Sequence, residues 1–305
     1  MSEEQLMLDY IKLLHEKESK QLKTEEKIVL EGQYKEAYNA MMDAYNAELF
    51  VGLIGPVGSG KTALCRKFAN DLDKPFNWVT FSDLVRPSNL IGSFDPTLVF
   101  KYGFSVDAFI PGPFTLSTLG GGVFLANELN RGDEYVLNSL LDALEERKLY
   151  IPSLKTWYDV DPEFYLIAAM NPAEMRGTRR LPSAIKDRVK VWIHLDYPKK
   201  PIEQQIIQTR CPEYSLNPST IELVLELVHQ TRDDPAVELP ASIRSSIGLA
   251  RLGSERAKRL NKPLDNTTLA QSAKLVLTES IKMKPGRDAK KYVSSLLKRV
   301  LGTTG

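Results

Sequence analysis

The sequence has little that would support an extracellular, membrane-spanning or metal-cluster protein. Only two cysteines, Cys65 and Cys211, and three scattered histidines occur among 305 residues. Neither residue type has the paired spacing of a metal site, and both cysteines are expected to stay reduced in a cytoplasmic protein. The longest apolar runs are shorter than a membrane span. The acidic start, MSEEQLML, differs from the basic start of a secretory signal.

An excess of charge of one sign is also missing. Lysine plus arginine number 40 and aspartate plus glutamate number 39, so the net charge is +1. This balance provides no bulk attraction to nucleic acid or to an anionic membrane. Apolar residues make up 43% and charged residues 26%, which is ordinary for a globular protein. A chain of this length forms one large domain or two moderate ones.

Apolar strand patterns and helical patterns alternate as far as Pro198. The runs ELFVGLIG, FNWVTFS, GGVFLANE, EFYLIAAMN and VKVWIHLDY predict strands, and YVLNSLLDALEER predicts a helix. Such alternation is typical of an α/β fold whose parallel sheet is covered on both faces. After Pro198 the patterns are helical. We therefore predict a helical extension (residues 1–27), an αβα core (28–198) and a smaller, all-helical C-terminal domain (199–305).

The segment GPVGSGKT fits the phosphate-loop pattern G-x-x-x-x-G-K-[ST]. Glycines let the backbone approach phosphates, and the N–H groups that open the next helix attract the anion. Lys61 is expected to reach the outer phosphates of ATP or ADP, and the Thr62 hydroxyl to bind Mg²⁺. The preceding strand and following helix favour this interpretation over a chance glycine loop. The predicted nucleotide-binding residues are Gly55, Pro56, Val57, Gly58, Ser59, Gly60, Lys61, Thr62 and Ala63.

The strand GGGVFLANELNR, from Gly120 to Arg131, leads into an amide and an acid. Glu128 is placed to orient and polarise an attacking water. Asn127 stands where many nucleotide hydrolases have an aspartate that holds a magnesium-bound water. Its amide oxygen still accepts a hydrogen bond but carries no charge. Losses of this kind cost about 10- to 100-fold in metal affinity or activity. We therefore predict a magnesium site formed by Thr62 and Asn127, weakened by the amide at position 127.

More polar residues follow in chain order. Asn171 ends the apolar strand FYLIAAMN, where its side chain can lie between the sheet and the γ-phosphate. The segment RGTRRLPSAIKDRV then carries four arginines: Arg176, Arg179, Arg180 and Arg188. We expect one of them to act on a neighbouring subunit's nucleotide, because a guanidinium neutralises charge on the transferring phosphoryl group. A surface role is favoured for Arg176 and Arg179.

Together these segments resemble the MoxR group of AAA+ ATPases, in the clade that carries an insert in its second helix. The resemblance covers about residues 28–255. EGQYKEAYNAMMDAYNAELFVGLIGPVGSGKT is similar to the family's opening and P-loop. LIGSFDPTLVFKYGFSVDAFIPGPFTLSTLGGGVFLANELNR is similar to its insert hairpin and Walker B strand, and IAAMNPAEMRGTRRLPSAIKDRV to its sensor-1 strand and arginine-finger helix. LPASIRSSIGLARL is similar to the start of its sensor-2 helix.

The resemblance implies roles for individual residues. Asn127 departs from the family's aspartate, and DRV stands in place of its DRF; the first change bears on magnesium retention and turnover. The residues that match the family are Lys61 and Thr62 of the P-loop, the catalytic Glu128 of Walker B, Asn171 of sensor 1, Arg188 as the arginine finger, and Arg244 of sensor 2.

The resemblance also implies a magnesium-dependent ATPase that forms a hexameric ring and remodels protein clients, often with a von Willebrand factor A-domain partner. The insert hairpin, about residues 91–113, would face the ring's pore or a partner through Phe94, Phe100, Tyr102 and Phe104. The alternative is that these aromatic side chains pack locally.

Two other functions stay open at this stage. The amide at Asn127 allows a nucleotide-gated scaffold that binds ATP and hydrolyses it slowly or not at all. A DNA-acting AAA+ motor is the third possibility. The balanced charge and the lack of a recognisable DNA-binding module argue against it.

Overall fold

The structure, a computed structural model, describes residues 3–21, 27–172 and 179–303. Contacts divide the chain into two compact units. Within the described residues, the first unit is drawn from 1–26, 34–56 and 61–195, and the second from 27–33, 57–60 and 196–305.

The first unit is built on a five-stranded sheet. Its strand order is β2-β5-β8-β1-β9, and every neighbouring pair is parallel. The predicted α/β class with a parallel sheet is therefore confirmed. The five strands are β1 (Phe50–Ile54), β2 (Phe76–Thr80), β5 (Val123–Asn127), β8 (Tyr165–Met170) and β9 (Val189–His194).

The remaining elements of the first unit are helices and two short hairpins. The helices are α1 (Glu3–Gln21), α2 (Gln33–Asn46), α3 (Lys61–Asp71), α4 (Pro87–Ile91), α5 (Pro96–Tyr102), α6 (Pro113–Gly120), α7 (Glu134–Asn138), α8 (Leu141–Glu145) and α9 (Ser183–Arg188). The hairpin strands are β3 (Gly92–Phe94), β4 (Phe109–Pro111), β6 (Lys148–Ile151) and β7 (Thr156–Asp159).

The central strands are buried along nearly their whole length. In β5 and β8 only the last residue, Asn127 and Met170 respectively, is partly exposed. This explains why both strands read as unbroken apolar runs and not as alternating ones. Phe114 of α6 packs edge-on against Phe124 of β5, with ring centroids 5.1 Å apart. Each fully buried side chain of this size contributes about 1.5–3 kcal/mol to folding.

The N-terminal helix joins this core. Met7 and Ile11 of α1 have no exposed surface and lie in the same apolar cluster as Phe114 and Phe124. Leu13 of the same helix is about half exposed. The described part of α1 therefore packs as part of the first unit.

The helix predicted for YVLNSLLDALEER is wrong as a single element, because it forms two short helices, α7 and α8. The break falls at Ser139, whose hydroxyl donates to the Val136 carbonyl at 2.6 Å. Its own N–H bonds back to Val136 and Leu137. A serine that bonds locally to the backbone competes with helix continuation. The β6–β7 hairpin follows, and the sequence patterns did not indicate it.

The predicted insert forms a hairpin closed by an antiparallel pair. Gly92 pairs with Pro111, and Phe94 with Phe109. Between the two strands lies α5, whose N-cap Asp95 accepts from the N–H groups of Thr97 and Leu98.

The insert's aromatic side chains differ in their local packing and exposure. Phe94 packs locally, with ring centroids 5.3 Å from Phe104 and 6.0 Å from Phe109. Phe100 is 94% exposed and Phe104 79%, so these two rings present apolar surface to solvent. Tyr102 is about half exposed.

The second unit is helical, with one short strand pair that the sequence patterns did not indicate. Its core is an apolar cluster shared among its helices. The elements are α10 (Lys200–Arg210), α11 (Pro218–Asp233), β10 (Val237–Leu239), α12 (Ile243–Arg259), α13 (Asn266–Ser280), β11 (Lys282–Met283) and α14 (Ala289–Leu301), with β10 and β11 antiparallel.

A buried ion cluster joins three helices of the second unit. Glu203 of α10 is fully buried, and both of its carboxylate oxygens bond to the Arg232 guanidinium of α11, at 2.7 and 2.9 Å. Its oxygens also contact His229 Nε2 at 2.8 Å and the Ser246 hydroxyl of α12 at 2.5 Å. Burial alone would raise the pKa of Glu203. The bonds from His229 and Arg232 outweigh burial and lower that pKa to about 2.

This cluster leads to a pH-dependent prediction. Replacing Glu203→Gln leaves the Arg232 charge buried without its partner, so we expect the free energy of unfolding to fall by about 3–5 kcal/mol at pH 7. The folded pKa of Glu203, about 2, lies below its ordinary value of 4.5. Its contribution is therefore complete above pH 4.5 and is lost as the pH falls through 2.

Urea unfolding followed by far-ultraviolet circular dichroism, repeated from pH 7 to pH 2, measures this effect. The gap between wild type and Glu203→Gln should narrow below pH 4.5. Glu255→Gln is the matched control, because Glu255 is an exposed residue of α12 paired with Lys258. A Glu203 variant as stable as this control at pH 7 would contradict the prediction.

Candidate functional site

The carboxyl ends of β1, β5 and β8 meet at one edge of the sheet. Ile54 of β1 lies beside Met170 of β8, and Asn127 of β5 beside Ala169 of β8. The residues that follow these strands are the start of the phosphate loop, Glu128 and Asn171. Parallel sheets bind ligands at this edge, and the first unit brings these predicted residues to it.

Lys61 is the first residue of α3 and is buried. Its ammonium donates to the main-chain oxygens of Gly55 at 2.6 Å and Pro56 at 2.9 Å. It also donates to the Asn171 side-chain oxygen at 3.3 Å. Thr62 follows in the first turn of the same helix. The lysine therefore concentrates positive charge where β1 ends, as the binding of phosphate requires.

The phosphate loop has two residues in the left-handed region. Gly58 has φ +74° and Gly60 has φ +94°. A side chain at either position would strain the backbone. Val57, Ser59 and the two glycines belong to the second unit, whereas Ala63 lies in α3 of the first.

Asn171 has the clearest mark of a ligand-binding residue. It is 3% exposed. Because lysine has only donors, the oxygen end of its carboxamide must face Lys61. The nitrogen end, Nδ2, is then buried with no hydrogen-bond partner among the described residues. Such a donor costs about 1–3 kcal/mol when unpaired. A phosphate oxygen is the kind of acceptor it lacks, so the group fits ATP.

Asn127 has a partner that sequence reasoning did not find. Its Nδ2 donates to the Thr80 hydroxyl of β2 at 3.1 Å, across the pair in which the two residues lie side by side. This bond occupies the nitrogen end of the amide and leaves the oxygen end as the acceptor. An oxygen ligand suits Mg²⁺ or a magnesium-bound water.

Glu128 adopts a conformation that is uncommon for a glutamate. Its φ of +53° and ψ of 38° are left-handed, which costs roughly 1–2 kcal/mol for a residue with a side chain. Its carboxylate forms an ion pair with Arg131, at 3.0 Å from Oε2 to Nε, without the angle of a hydrogen bond. Non-glycine residues held in this region cluster at functional sites. The turn residue Arg131 was not among the predicted site residues.

A buried asparagine, also absent from the prediction, links the two strand ends. Asn130 lies in the 3₁₀ turn Leu129–Arg131 and is 2% exposed. Its Nδ2 donates to the main-chain oxygen of Asn171 at 3.0 Å. In the sequence, the polar letters of NELNR were the signal that could have suggested it.

The predicted arginines lie in different surroundings. Arg188 ends α9 and is ion-paired with Glu145 of α8 and with Asp187, the latter at 2.5 Å. Arg179 bonds to Asp83 at 2.9 Å and to Asp133 at 3.5 Å, in keeping with the surface role favoured for it. Arg180 is exposed, and Arg176 lies outside the described residues.

Arg244 lies in the second unit, in the first turn of α12, and is exposed. Within that unit the segment Val57–Gly60 approaches the start of α12. A Cβ built on Gly58 would lie 2.6 Å from the Ser242 Cβ and 3.9 Å from the Arg244 Cγ. The Tyr197 hydroxyl donates to the Val57 oxygen at 3.1 Å.

The metal-binding potential rests on oxygen donors of the site itself. Across residues 3–21, 27–172 and 179–303, no group of three or more His, Cys, Asp or Glu is arranged to hold a metal ion. The hydroxyl of Thr62, the amide oxygen of Asn127 and nucleotide phosphates form a set that suits Mg²⁺, which keeps several waters and takes few protein ligands.

In the described part of the chain, no helix combines the length and the apolar character that crossing a bilayer requires.

Comparison with known proteins agrees with this geometry. Residues 51–189, from β1 to β9, match the model of the AAA domain of the dynein-related subfamily. The segment from β1 to β9 is therefore similar to an AAA domain. Its curated relatives include the gas vesicle ATPase GvpN of Haloferax mediterranei, 28% identical over 65% of this chain and 61% of that protein. The chaperone MoxR1 of Mycobacterium tuberculosis is 29% identical over 51% of this chain and 38% of its own.

These relatives are of the MoxR type, so the resemblance inferred from the sequence is confirmed. The chain nevertheless spans only 61% of the GvpN length. Among solved structures, a RuvB mutant of Thermotoga maritima has a TM-score of 0.57 at 17% identity, over 91% of this chain and 84% of that one. At this identity the likeness shows the fold alone.

The site geometry predicts the effect of removing the buried ammonium. Lys61→Met should weaken ATP binding by about 100-fold or more, because charge-assisted bonds to phosphate are lost from a buried position. Lys67→Met, in the same helix, removes only a partly exposed pair with Asp71 and should bind ATP as the wild type does. Isothermal titration calorimetry with ATP compares the two variants. Equal affinities would show that phosphate binds elsewhere.

Proposed function

We propose that the chain is a magnesium-dependent ATPase that works as an oligomeric ring and remodels protein partners in the cytoplasm. The observation that carries this proposal is the arrangement at the sheet edge. There the Lys61 ammonium faces the Asn171 oxygen at 3.3 Å, and the buried Asn171 nitrogen has no acceptor among the residues that the structure describes. A γ-phosphate supplies both the anionic charge and the acceptor that these groups need.

The proposed roles follow from position and chemistry. Lys61 and Asn171 bind the outer phosphates, and residues Gly55–Ala63 surround the phosphate chain. Thr62 and Asn127 hold the magnesium shell, whose ion offsets charge on the transferring phosphoryl group when bound. Glu128 accepts a proton from, or orients, the attacking water. Its ion pair with Arg131 must loosen for the carboxylate to reach that water.

Arg188 is proposed to act on the nucleotide of a neighbouring subunit. In the single chain its guanidinium is ion-paired with Glu145 and Asp187, and we expect it to leave these partners for the neighbour's γ-phosphate. Arg244 is proposed to reach the γ-phosphate as the sensor-2 arginine. Its place near the start of α12, beside Gly58, supports this role.

The proposal also includes protein partners and assembly into a ring. A chaperone among the relatives supports protein clients, and ATPases among them support hydrolysis. The resemblance to the MoxR group motivates a hexamer and a von Willebrand factor A-domain partner. The exposed rings of Phe100 and Phe104 provide apolar surface for contact with a client or partner.

A scaffold that hydrolyses ATP slowly is the second candidate, and Asn127 is the observation that favours it. The amide lacks the charge of an aspartate, while its bond to Thr80 keeps it in place. This function predicts ATP binding and assembly without appreciable turnover.

Steady-state ATP hydrolysis across a magnesium titration distinguishes the two functions. We expect the wild type to turn over, and Asn127→Asp to reach half-maximal rate at about 10-fold lower magnesium, because a carboxylate charge is restored beside the magnesium-bound water. Glu128→Gln is the blank. If the wild type binds ATP but turns it over no faster than this blank, the protein is a nucleotide-binding scaffold and not an ATPase motor.

A mixing experiment tests the trans role of Arg188. Arg188→Ala and Lys61→Met should each be inactive alone. Mixed before assembly, they should regain activity, because an intact nucleotide site then meets an intact arginine from its neighbour. Arg179→Ala, whose guanidinium bonds to Asp83 and Asp133, is the matched control and should stay active alone.

Size-exclusion chromatography with light scattering, with and without ATP, reports the ring size in the same samples. Failure of the Arg188→Ala and Lys61→Met mixture to recover activity, although mixed rings form, would contradict a trans arginine.

A further inference from the structure

A buried side chain beside the proposed ATPase site remains without an assigned role. Asn130 follows Glu128 by two residues, in the turn that ends β5, and is 2% exposed. It is therefore placed between the proposed water-activating carboxylate and the end of the neighbouring strand β8. Its side-chain amide and its main-chain oxygen both form hydrogen bonds at this place.

Asn130 bonds to both sides of the segment that connects Asn171 and Arg179. Its side-chain nitrogen donates to the Asn171 main-chain oxygen at 3.0 Å. Its own main-chain oxygen accepts from the Arg179 N–H at 2.7 Å. The main chain of Asn171 is thus fixed to the turn after Glu128, while its side chain is fixed to Lys61.

The orientation of the Asn130 carboxamide is settled by its partner. A main-chain carbonyl only accepts hydrogen bonds, so the nitrogen end faces Asn171. The oxygen end, Oδ1, is then buried with no hydrogen-bond partner among the described residues. Native proteins leave few buried polar atoms unpaired, and those that occur are frequent at functional sites.

Within the described ranges, two neighbouring buried asparagines therefore each have one end without a hydrogen-bond partner. Asn130 has an acceptor and Asn171 a donor, and both are tied to one main-chain position. An apolar side chain of similar size at position 130 would avoid the unpaired oxygen but would release the Asn171 carbonyl. The hydrogen bond to the Asn171 carbonyl is therefore what asparagine provides at this position and an apolar side chain would not.

We propose that Asn130 is a positioning residue for ATP hydrolysis, which holds the main chain of Asn171 so that its carboxamide meets the γ-phosphate in one orientation. This inference rests on the proposed ATPase function. Asn130 acts through Asn171, so its loss should lower kcat more than it weakens ATP binding. Small displacements of a group that contacts the reacting phosphate cost about 10- to 100-fold in rate.

Asn130→Asp is the diagnostic variant. At pH 8 its carboxylate has no hydrogen to donate and repels the Asn171 oxygen, so kcat should fall about 10- to 100-fold. Burial raises the pKa of a carboxyl group, and the protonated acid can donate again. The kcat of Asn130→Asp should therefore recover, relative to wild type, as the pH is lowered toward 6. Circular dichroism melts at pH 8 and pH 6 complete the test, because a residue with only a structural role would change the melting temperature together with kcat.

Asn138→Asp is the matched control, because Asn138 is an exposed residue of α7 and receives the same charge. Its kcat and pH profile should equal those of the wild type. Asn130→Ala provides a second variant should the aspartate prevent folding, which circular dichroism melts report. In an Asn171→Ala background, Asn130→Ala should cost little more activity, because the residue through which it acts is gone.

The outcomes separate the two proposals. Wild-type turnover above the Glu128→Gln blank establishes hydrolysis by itself. If Asn130→Asp and Asn130→Ala then keep wild-type kcat, or if the Asn130→Ala and Asn171→Ala effects are additive, the positioning role is overturned while the ATPase stands. If the wild type does not exceed the blank, both proposals fall together.

Discussion

The hydrogen bond between the Lys61 ammonium and the Asn171 carboxamide is the contact on which the site depends. It joins the first residue of α3 to the residue after β8. The strand that precedes α3, β1, lies beside β8 in the sheet. Because lysine only donates, this bond alone determines which end of the carboxamide faces away from it. The other end, the nitrogen of Asn171, has no acceptor in the described part of the chain, and a phosphate oxygen would supply one.

Local features of this site could be predicted from the sequence, and contacts between distant elements could not. The phosphate loop is contiguous in the chain, and the apolar runs predict one strand that delivers Asn127 and Glu128 and another that ends in Asn171, each within one residue of the observed ends of β5 and β8. Strand order was available only through the resemblance to a family. The hydrogen bond that Asn127 donates to Thr80 and the ion pair between Arg188 and Glu145 depend on strand order and helix placement. Spacing along the chain contains no information about them.

Backbone conformation was a second feature that patterns did not reveal. Glu128 leaves β5 in the left-handed region, and the 3₁₀ turn that it begins carries Asn130 back toward Asn171. A regular continuation of the strand would send Glu128 and Asn130 to the same face of the sheet, because side chains alternate along a strand. The strained residue and the buried asparagine thus have one cause, an abrupt turn directly after Asn127.

The bond between Asn127 and Thr80 bears on what the amide changes in this family member. With asparagine, the Thr80 hydroxyl accepts from the amide nitrogen and the amide oxygen is left as the outward acceptor. With aspartate, the same hydroxyl would donate to one carboxylate oxygen and leave the other in the same place. Both residues therefore present one oxygen from one position. At the proposed magnesium site the amide would change the charge and keep the position of the oxygen, so we expect it to weaken metal binding without abolishing it.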